Sequence, residues 1–465
     1  MSDPGVSMLV KNAHVLVTMD ESRNEINDGC MYIENGVIKV VGTADKCPPS
    51  ADVVLDMKGH VVLPGLVCTH HHLYQHLTRV ASGSQDGNVW NWLQVLYPMW
   101  ERMTPGANRL AVQVGLAELV MSGCTTVFDH QYLFPNGCTI DDSIVAAKEM
   151  GVRFHASRGS MSRGKSKGGL PPDSLVETEN DILNDCQRVI DKYHDTKSGA
   201  MTRVVLAPCS PFSVTEDLMI ESARLARQHN CGLHTHLAES LDEERYCLKV
   251  YGLRPVAAMD KLGWLGKDVW FAHSVHVNEA EVRQYAETGT GFAHCPSSNM
   301  RLATGFAPIQ LARDLGVRVG IGTDGSSSND GSHMLAEVRQ AMLLARLQLT
   351  QYADGPPEDK RFWISARDCL EMATLGGAAI LQRDDIGSLQ PGKRADFFSV
   401  NTNDVAFAGG SMADPVAALV FCASQRASYT VIDGRVVVKD GQVQTLDLPV
   451  AMEALNRVSS KVMGV

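Results

Sequence analysis

The chain has 465 residues, 44% of them hydrophobic, and a formal net charge of −11. That length suits one large barrel with insertions better than an ordinary small domain, and the apolar share supplies a full core. The negative balance argues against nucleic acid or an anionic membrane as a partner, and no apolar run is long enough to span a bilayer.

In chain order, the opening Met1-Ser2-Asp3-Pro4-Gly5 lacks a basic stretch leading into an apolar one, so it does not read as a secretory leader. The twelve cysteines are scattered without CxxC spacing. They are expected to be reduced thiols that pack as small apolar residues in a cytoplasmic protein. Residues 8–18 and 29–42 read as short strands, the second broken by an Asn35-Gly36 turn. Residues 395–400 and 430–438 carry the same signature near the other end. The two β-rich ends are expected to pair into one small β-sandwich domain, 1–65 with 386–465.

Over 66–385, apolar runs at 66–69, 125–128, 153–156, 203–206, 232–236, 269–272, 291–294 and 318–322 read as buried strands. Helical patterns such as 108–121, 218–229 and 332–347 separate them. This alternation predicts an α/β fold with a parallel sheet, and about eight strands predict closure into a (β/α)8 TIM-type barrel. Segment 158–172, rich in Gly, Ser and basic residues, reads as a loop, either over the active end or plainly on the surface.

Candidate chemistry gathers at the predicted strand ends, where barrel active sites are built. His70 and His72 are two apart in an extended segment, so both imidazoles face one side while His71 faces away. His236, His273 and Asp324 each end a different strand. Three histidines with an aspartate make a nitrogen and oxygen set suited to Zn2+, with Fe2+ or Mn2+ as alternatives. A lone His-x-His is weak evidence; its combination with three further strand ends is specific. Among the other histidines, His234 faces as His236 does, whereas His130, His155 and His294 read as packing or supporting residues.

Several motifs carry a family resemblance: Pro64-Gly65-Leu66-x-x-x-His70-x-His72, His236-x-x-Glu239, Ala272-His273 and Gly322-Thr323-Asp324. Pro391-Gly392-Lys393-x-Ala395-Asp396 and Val431-x-Asp433-Gly434 follow in order. Together they resemble the amidohydrolase superfamily across almost the whole chain, in its mononuclear aminohydrolase branch. Within that branch the chain is most similar to bacterial 8-oxoguanine deaminases, on residues 70–79, 157–172, 207–212, 294–299 and 328–330. The resemblance implies that His70, His72 and His236 hold one metal ion, with Asp324 as a further ligand and proton acceptor. It implies that His273 orients the attacking water and that Glu239 protonates a ring nitrogen before ammonia leaves. Binuclear members carry a strand-four lysine, and 203–208 contains none.

Gln75 stands where guanine deaminase-like sequences place a substrate-binding glutamine, its amide suited to adjacent N–H and C=O groups of a purine. Trp92 and Tyr97 are candidates for pocket walls or for core aromatics. Cys209 and Ser210 replace an arginine of guanine deaminases, which turns the expectation from guanine towards 8-oxoguanine, hydrolysed to urate and ammonia. An isoxanthopterin or guanine deaminase and a triazine hydrolase are the alternatives. A scaffold with a dead site is the remaining one, although no ligand position is lost. The expected partner is a small purine-like molecule, with self-association into a dimer or higher oligomer left open.

Overall fold

The computed structural model describes residues 6–465; Met1–Gly5, read above as carrying no leader, lie outside the described residues. Eight parallel strands close a barrel: β1 (Leu66–Cys68), β2 (Cys124–Asp129), β3 (Arg153–Ser160), β4 (Thr202–Pro208), β5 (Gly232–Leu237), β6 (Val269–His273), β7 (Gly291–His294) and β8 (Val319–Ile321). Alternation along each strand decides its two faces. Val67, Phe128, Val205, Ala207, Trp270 and Ala293 fill the interior with Ala378, Ile380 and Leu381. Their neighbours Cys68, Val127, Phe154, Val204, Leu206 and Phe292 instead join the layer beneath the surrounding helices. A buried Phe or Leu contributes about 1.5–3 kcal/mol. The predicted helical patterns coincide, to within two residues at the ends of the second and third, with helices Pro105–Met121, Glu216–Gln228 and Met334–Gln348, the first two capped by Thr104 and Thr215.

Strands from both ends of the chain form one hydrogen-bonded sheet. Strand Ser7–Val17 pairs antiparallel with Glu25–Glu34, and in parallel with Val53–Asp56 and then His60–Pro64. Phe397–Asn401 joins on the other side of His60–Pro64. Again the alternation sorts the faces: Val62, Phe397 and Val431 enter the small domain's own core, whereas Leu63, Phe398 and Ile432 pack against the barrel layer. The last helix, Leu448–Met463, leaves this sheet and buries Ala451 and Leu455 among Tyr74, Trp100 and Leu77 beside the active end of the barrel.

A buried ion pair joins the two parts. Arg153, at the start of β3 and fully buried, makes a bidentate contact to Asp396, Nε to Oδ2 at 2.7 Å and Nη2 to Oδ1 at 2.9 Å. Its Nη1 donates to the carbonyls of Gly199 and Ala200. Asp396 Oδ1 also accepts the backbone N–H of Asp433 at 2.8 Å. The two C-terminal motifs are thereby explained as the socket for Arg153.

Two expectations need correction. The cysteines are not all free thiols, because Cys30 and Cys47 form a disulfide with Cα atoms 6.4 Å apart. The hairpin Glu25–Glu34/Val37–Thr43 brings Cys30 opposite Gly42, and a short turn at Ala44–Lys46 returns the chain to it. Segment 158–172 is not loop from its start, since β3 runs on through Ser160. Arg158 is buried there, paired with Glu177 and Asp185 and stacked on Phe134 at 4.3 Å. Those partners come from elsewhere in the fold, so local composition concealed them.

Candidate active site

The strand ends bring His70, His72, His236, His273 and Asp324 together as the sequence motifs require. Their hydrogen bonds dictate which ring nitrogen carries each proton. His234 Nδ1 faces the Trp270 carbonyl at 2.9 Å and must carry a hydrogen, leaving Nε2 to accept from His70 Nδ1–H at 2.9 Å. His70 Nε2 is therefore a bare lone pair, buried and without a hydrogen-bond partner. His72 Nδ1–H donates to the His130 carbonyl and His236 Nδ1–H to the Cys209 carbonyl, each at 2.6 Å. As neutral rings these present two bare Nε2 atoms to each other at 3.1 Å. Burial holds His70 down at about 3 and His236 well below the ordinary histidine range, so both rings are neutral.

Asp324 completes the set, with Oδ1 3.2 Å from His70 Nε2 and 3.3 Å from His72 Nε2. Facing lone pairs at such distances repel unless a cation lies between them. Donors around a tetrahedral ion with bonds of about 2.0–2.1 Å stand about 3.3 Å apart, so the donor set fits a divalent metal. His130, on the turn after β2, stacks on His236 with centroids 4.8 Å apart, and its ring belongs to the same cluster of potential ligands. His130 Nε2–H donates to the Ala207 carbonyl at 2.9 Å.

The backbone turns sharply where these groups are presented. Ala238, His273, Ser274 and Asp324 all have left-handed φ, between 48° and 72°. Each costs about 1–3 kcal/mol in a non-glycine residue and persists only where surrounding bonds enforce it. At Ala238–Glu239 the enforcement comes from Glu243, whose carboxylate accepts both backbone N–H groups at 2.7 and 3.1 Å. Asp324 accepts from the Gly325 N–H at 2.7 Å and the Ser328 hydroxyl at 3.2 Å. Asn299 Oδ1 accepts from His273 Nδ1 at 3.0 Å, which leaves His273 Nε2 facing Glu239 at 3.7 Å and Asp324 at 3.8 Å. Burial, with the charge of Asp324, pushes the Glu239 carboxyl up to about 8.

A narrow cavity opens onto this cluster, walled by Trp92, Tyr97, Tyr132, Phe212 and Leu302 with Cys209. Burial raises the Cys209 thiol to about 12, so it is a neutral wall. Gln75 and Ser210 lie behind the wall: Gln75 Oε1 accepts from the Ser327 N–H at 3.3 Å and Ser210 bonds Ser213 at 2.7 Å. Gly325 makes room for Gln75, since a Cβ there would stand 2.0 Å from Oε1. His71 points away, to the Ser332 hydroxyl at 2.8 Å. Sequence reasoning assigned no role to Asn299, Ser328 or Tyr132. The motifs 294–299 and 328–330 held the first two, but their partners, His273 and Asp324, were not legible without the fold.

The amidohydrolase family profile matches residues 61–437. An 8-oxoguanine deaminase of Pseudomonas aeruginosa is 44% identical over 94% of this chain and 95% of its own. A hydroxydechloroatrazine ethylaminohydrolase of Pseudomonas sp. is 34% identical over 93% and 91%. The zinc complex of an atrazine chlorohydrolase from Arthrobacter aurescens superposes with a TM-score of 0.91 at 32% identity, covering 97% of this chain and 100% of that one. The chain belongs to the amidohydrolase family.

Proposed function

We propose that the protein is a zinc-dependent hydrolytic deaminase of a purine-like base, converting 8-oxoguanine to urate and ammonia with one ion per chain. The observation that carries the chemistry is the convergence of three unprotonated imidazole nitrogens and a carboxylate beneath an aromatic-walled cavity. His70, His72, His236 and Asp324 would hold the ion, which when bound acidifies water towards neutrality and makes it a nucleophile at physiological pH. One ion rather than two follows from β4, which offers no lysine to bridge a pair.

The chain's own groups divide the proton work. Asp324, whose Oδ1 stands 3.2–3.3 Å from the Nε2 atoms of His70 and His72, accepts the proton of the attacking water. His273, with Nδ1–H committed to Asn299, presents Nε2 to orient that water. Glu239, raised to about 8, is protonated at neutral pH and delivers its proton to the ring nitrogen next to the carbon under attack. Trp92, Tyr97 and Phe212 stack on and enclose a flat heterocycle and exclude bulk water. Cys209 abuts the substrate, whereas Gln75 and Ser210 act through the walls they support.

The choice of 8-oxoguanine rests on the 44% identical relative and on the neutral Cys209. A pocket that pairs the C8 carbonyl and N7–H of 8-oxoguanine leaves polar groups unmatched with guanine, which costs discrimination of several kcal/mol, about 100-fold or more. Ammonia release from 8-oxoguanine, guanine and isoxanthopterin, alongside product release from a triazine, tests it. The expected order places 8-oxoguanine first in kcat/KM; a higher value for guanine, isoxanthopterin or the triazine overturns the substrate assignment while leaving the hydrolytic site intact. Among the described residues no helix is long and apolar enough to cross a membrane.

A further inference from the structure

A second polar cavity lies at the opposite end of the barrel, where the strands begin. His155 on β3 and Arg203 on β4 are register partners there, and both line it with His194, Asn230, Trp270 and Gln382. His155 is 2% exposed, and neither ring nitrogen makes a hydrogen bond among the described residues, Nε2 being wholly buried. Its tautomer is thus unconstrained, and Nε2 is free to carry the proton. His194 Nδ1 accepts the Val204 N–H at 3.0 Å, so its own Nε2 carries a proton, which is buried beside the Asn230 backbone with no hydrogen bond of good geometry. Arg203 gives Nη1–H to the Gln382 carbonyl at 2.9 Å and Nη2–H to that of Thr196 at 3.3 Å, while its Nε–H is buried and unpaired.

Direct carboxylate partners are unevenly shared around this cavity, although Asp384 and Asp385 both act on Arg203 from farther away. Three guanidinium groups approach the cavity: Arg153 is matched by Asp396 and Arg383 by Asp385, each at 2.7 Å. Arg203 has no carboxylate within ion-pair distance among the described residues. Burial, with the nearby charge of Arg383, draws its pKa down to about 10. Buried donors in proteins ordinarily have acceptors, and the half-buried Arg203 leaves its buried Nε–H without one. Gly232 helps to keep the space open, because a Cβ there would approach the Trp270 ring to 2.8 Å.

We propose that this cavity is a binding site for one small monovalent inorganic anion of chloride size, held by Arg203 Nε–H, His194 Nε2–H and His155 Nε2–H. A monovalent anion suits a site whose one guanidinium without a direct carboxylate partner already feels Asp384 and Asp385. The anion ties β3 and β4 to the segment that closes the barrel, and it lies outside the reaction cavity, so it acts on stability and not on turnover.

Bromide is the probe. Crystals of the metal-replete enzyme grown in NaBr should show an anomalous peak between His155, His194 and Arg203. Thermal unfolding in NaCl or NaBr, against sodium gluconate at equal ionic strength, should give a midpoint raised by ~2 °C or more, since gluconate is too large to enter. Arg203→Gln should lose most of that halide increment, and His155→Phe provides the same reading if the first variant folds poorly. A bromide-soaked crystal with peaks elsewhere but none in the cavity overturns the proposal, as does a water refined there. A halide increment absent from the parent, or undiminished in the variants, overturns it equally.

Discussion

The two ends of the barrel are built from the same strands, yet they treat buried polar groups in opposite ways. At the floor, Arg153 satisfies all three of its nitrogens with Asp396 and two carbonyls, and Arg383 is matched by Asp385. At the mouth, His70, His72 and His236 hold bare lone pairs towards one point, and the backbone at Ala238, His273 and Asp324 is left-handed. In a low-dielectric interior an unmatched polar group is costly, so matched groups mark where the fold is held together and unmatched ones mark where a ligand arrives. Arg203 and His155 are the exception at the floor, each with a buried nitrogen left without a hydrogen-bond partner.

Breaking the mouth should abolish chemistry and spare the fold. His236→Ala is expected to lose bound metal and at least ~1000-fold in turnover, because water without the ion is a poor nucleophile. Elemental analysis with ammonia release reads both, and retained metal with full activity contradicts the ligand set. Breaking the floor should do the reverse. Arg153→Met strands Asp396 in the interior and should cost about 3–5 kcal/mol of stability, seen in the denaturant midpoint, while kcat per folded molecule holds. A loss below ~1 kcal/mol would show that the pair contributes little.

Smaller perturbations sharpen the contrast. Glu239→Gln keeps size and hydrogen bonding but cannot cycle a proton, so turnover should fall by about 100-fold with metal retained. Near-normal turnover in the metal-replete variant removes Glu239 from the proton path. His234→Phe leaves His70 Nδ1–H without its acceptor; metal affinity should weaken by about 10–100-fold, measured by competition with a chelator. Asp385→Asn should have the least effect, and a pH-dependent one. Arg383 and the Gly199 N–H hold the Asp385 carboxyl below its ordinary value of about 3.9. A depressed folded-state pKa gives stability that is present above pH ~4 and is lost as pH falls below it. The difference in unfolding midpoint between parent and variant should therefore be full at pH 7 and shrink below pH 4; a difference independent of pH would rule out this account.

Much of the fold was legible because its signals are local. Apolar runs of four or five residues between amphipathic helices mark each barrel strand, and period-two spacing alone sets His70 and His72 on one side with His71 turned away. Strand-end positions likewise announced His236, His273 and Asp324. Segment 158–172 misled for the complementary reason: Arg158 looks like a loop residue until Glu177, Asp185 and Phe134 surround it. Gln75 has the right chemistry for a purine edge; the fold gives its Oε1 the Ser327 N–H and leaves its Nε2 buried without a hydrogen-bond partner.

By itself, then, the sequence determined the barrel and the identity of the residues at the strand ends, since periodicity and motif spacing act over a few residues; the pairing of the two β-rich ends into one sheet is long-range, and the fold settled it. Only the tertiary structure decided which nitrogen of each histidine is bare, because the partners that set the tautomers lie far off in the chain: His130 for His72, His234 for His70, Cys209 for His236. It also decided the Cys30–Cys47 pairing, the socket of Arg153 and the unpaired Nε–H of Arg203. Protonation, pairing and charge matching depend on what stands opposite a group in space, and no local pattern records that.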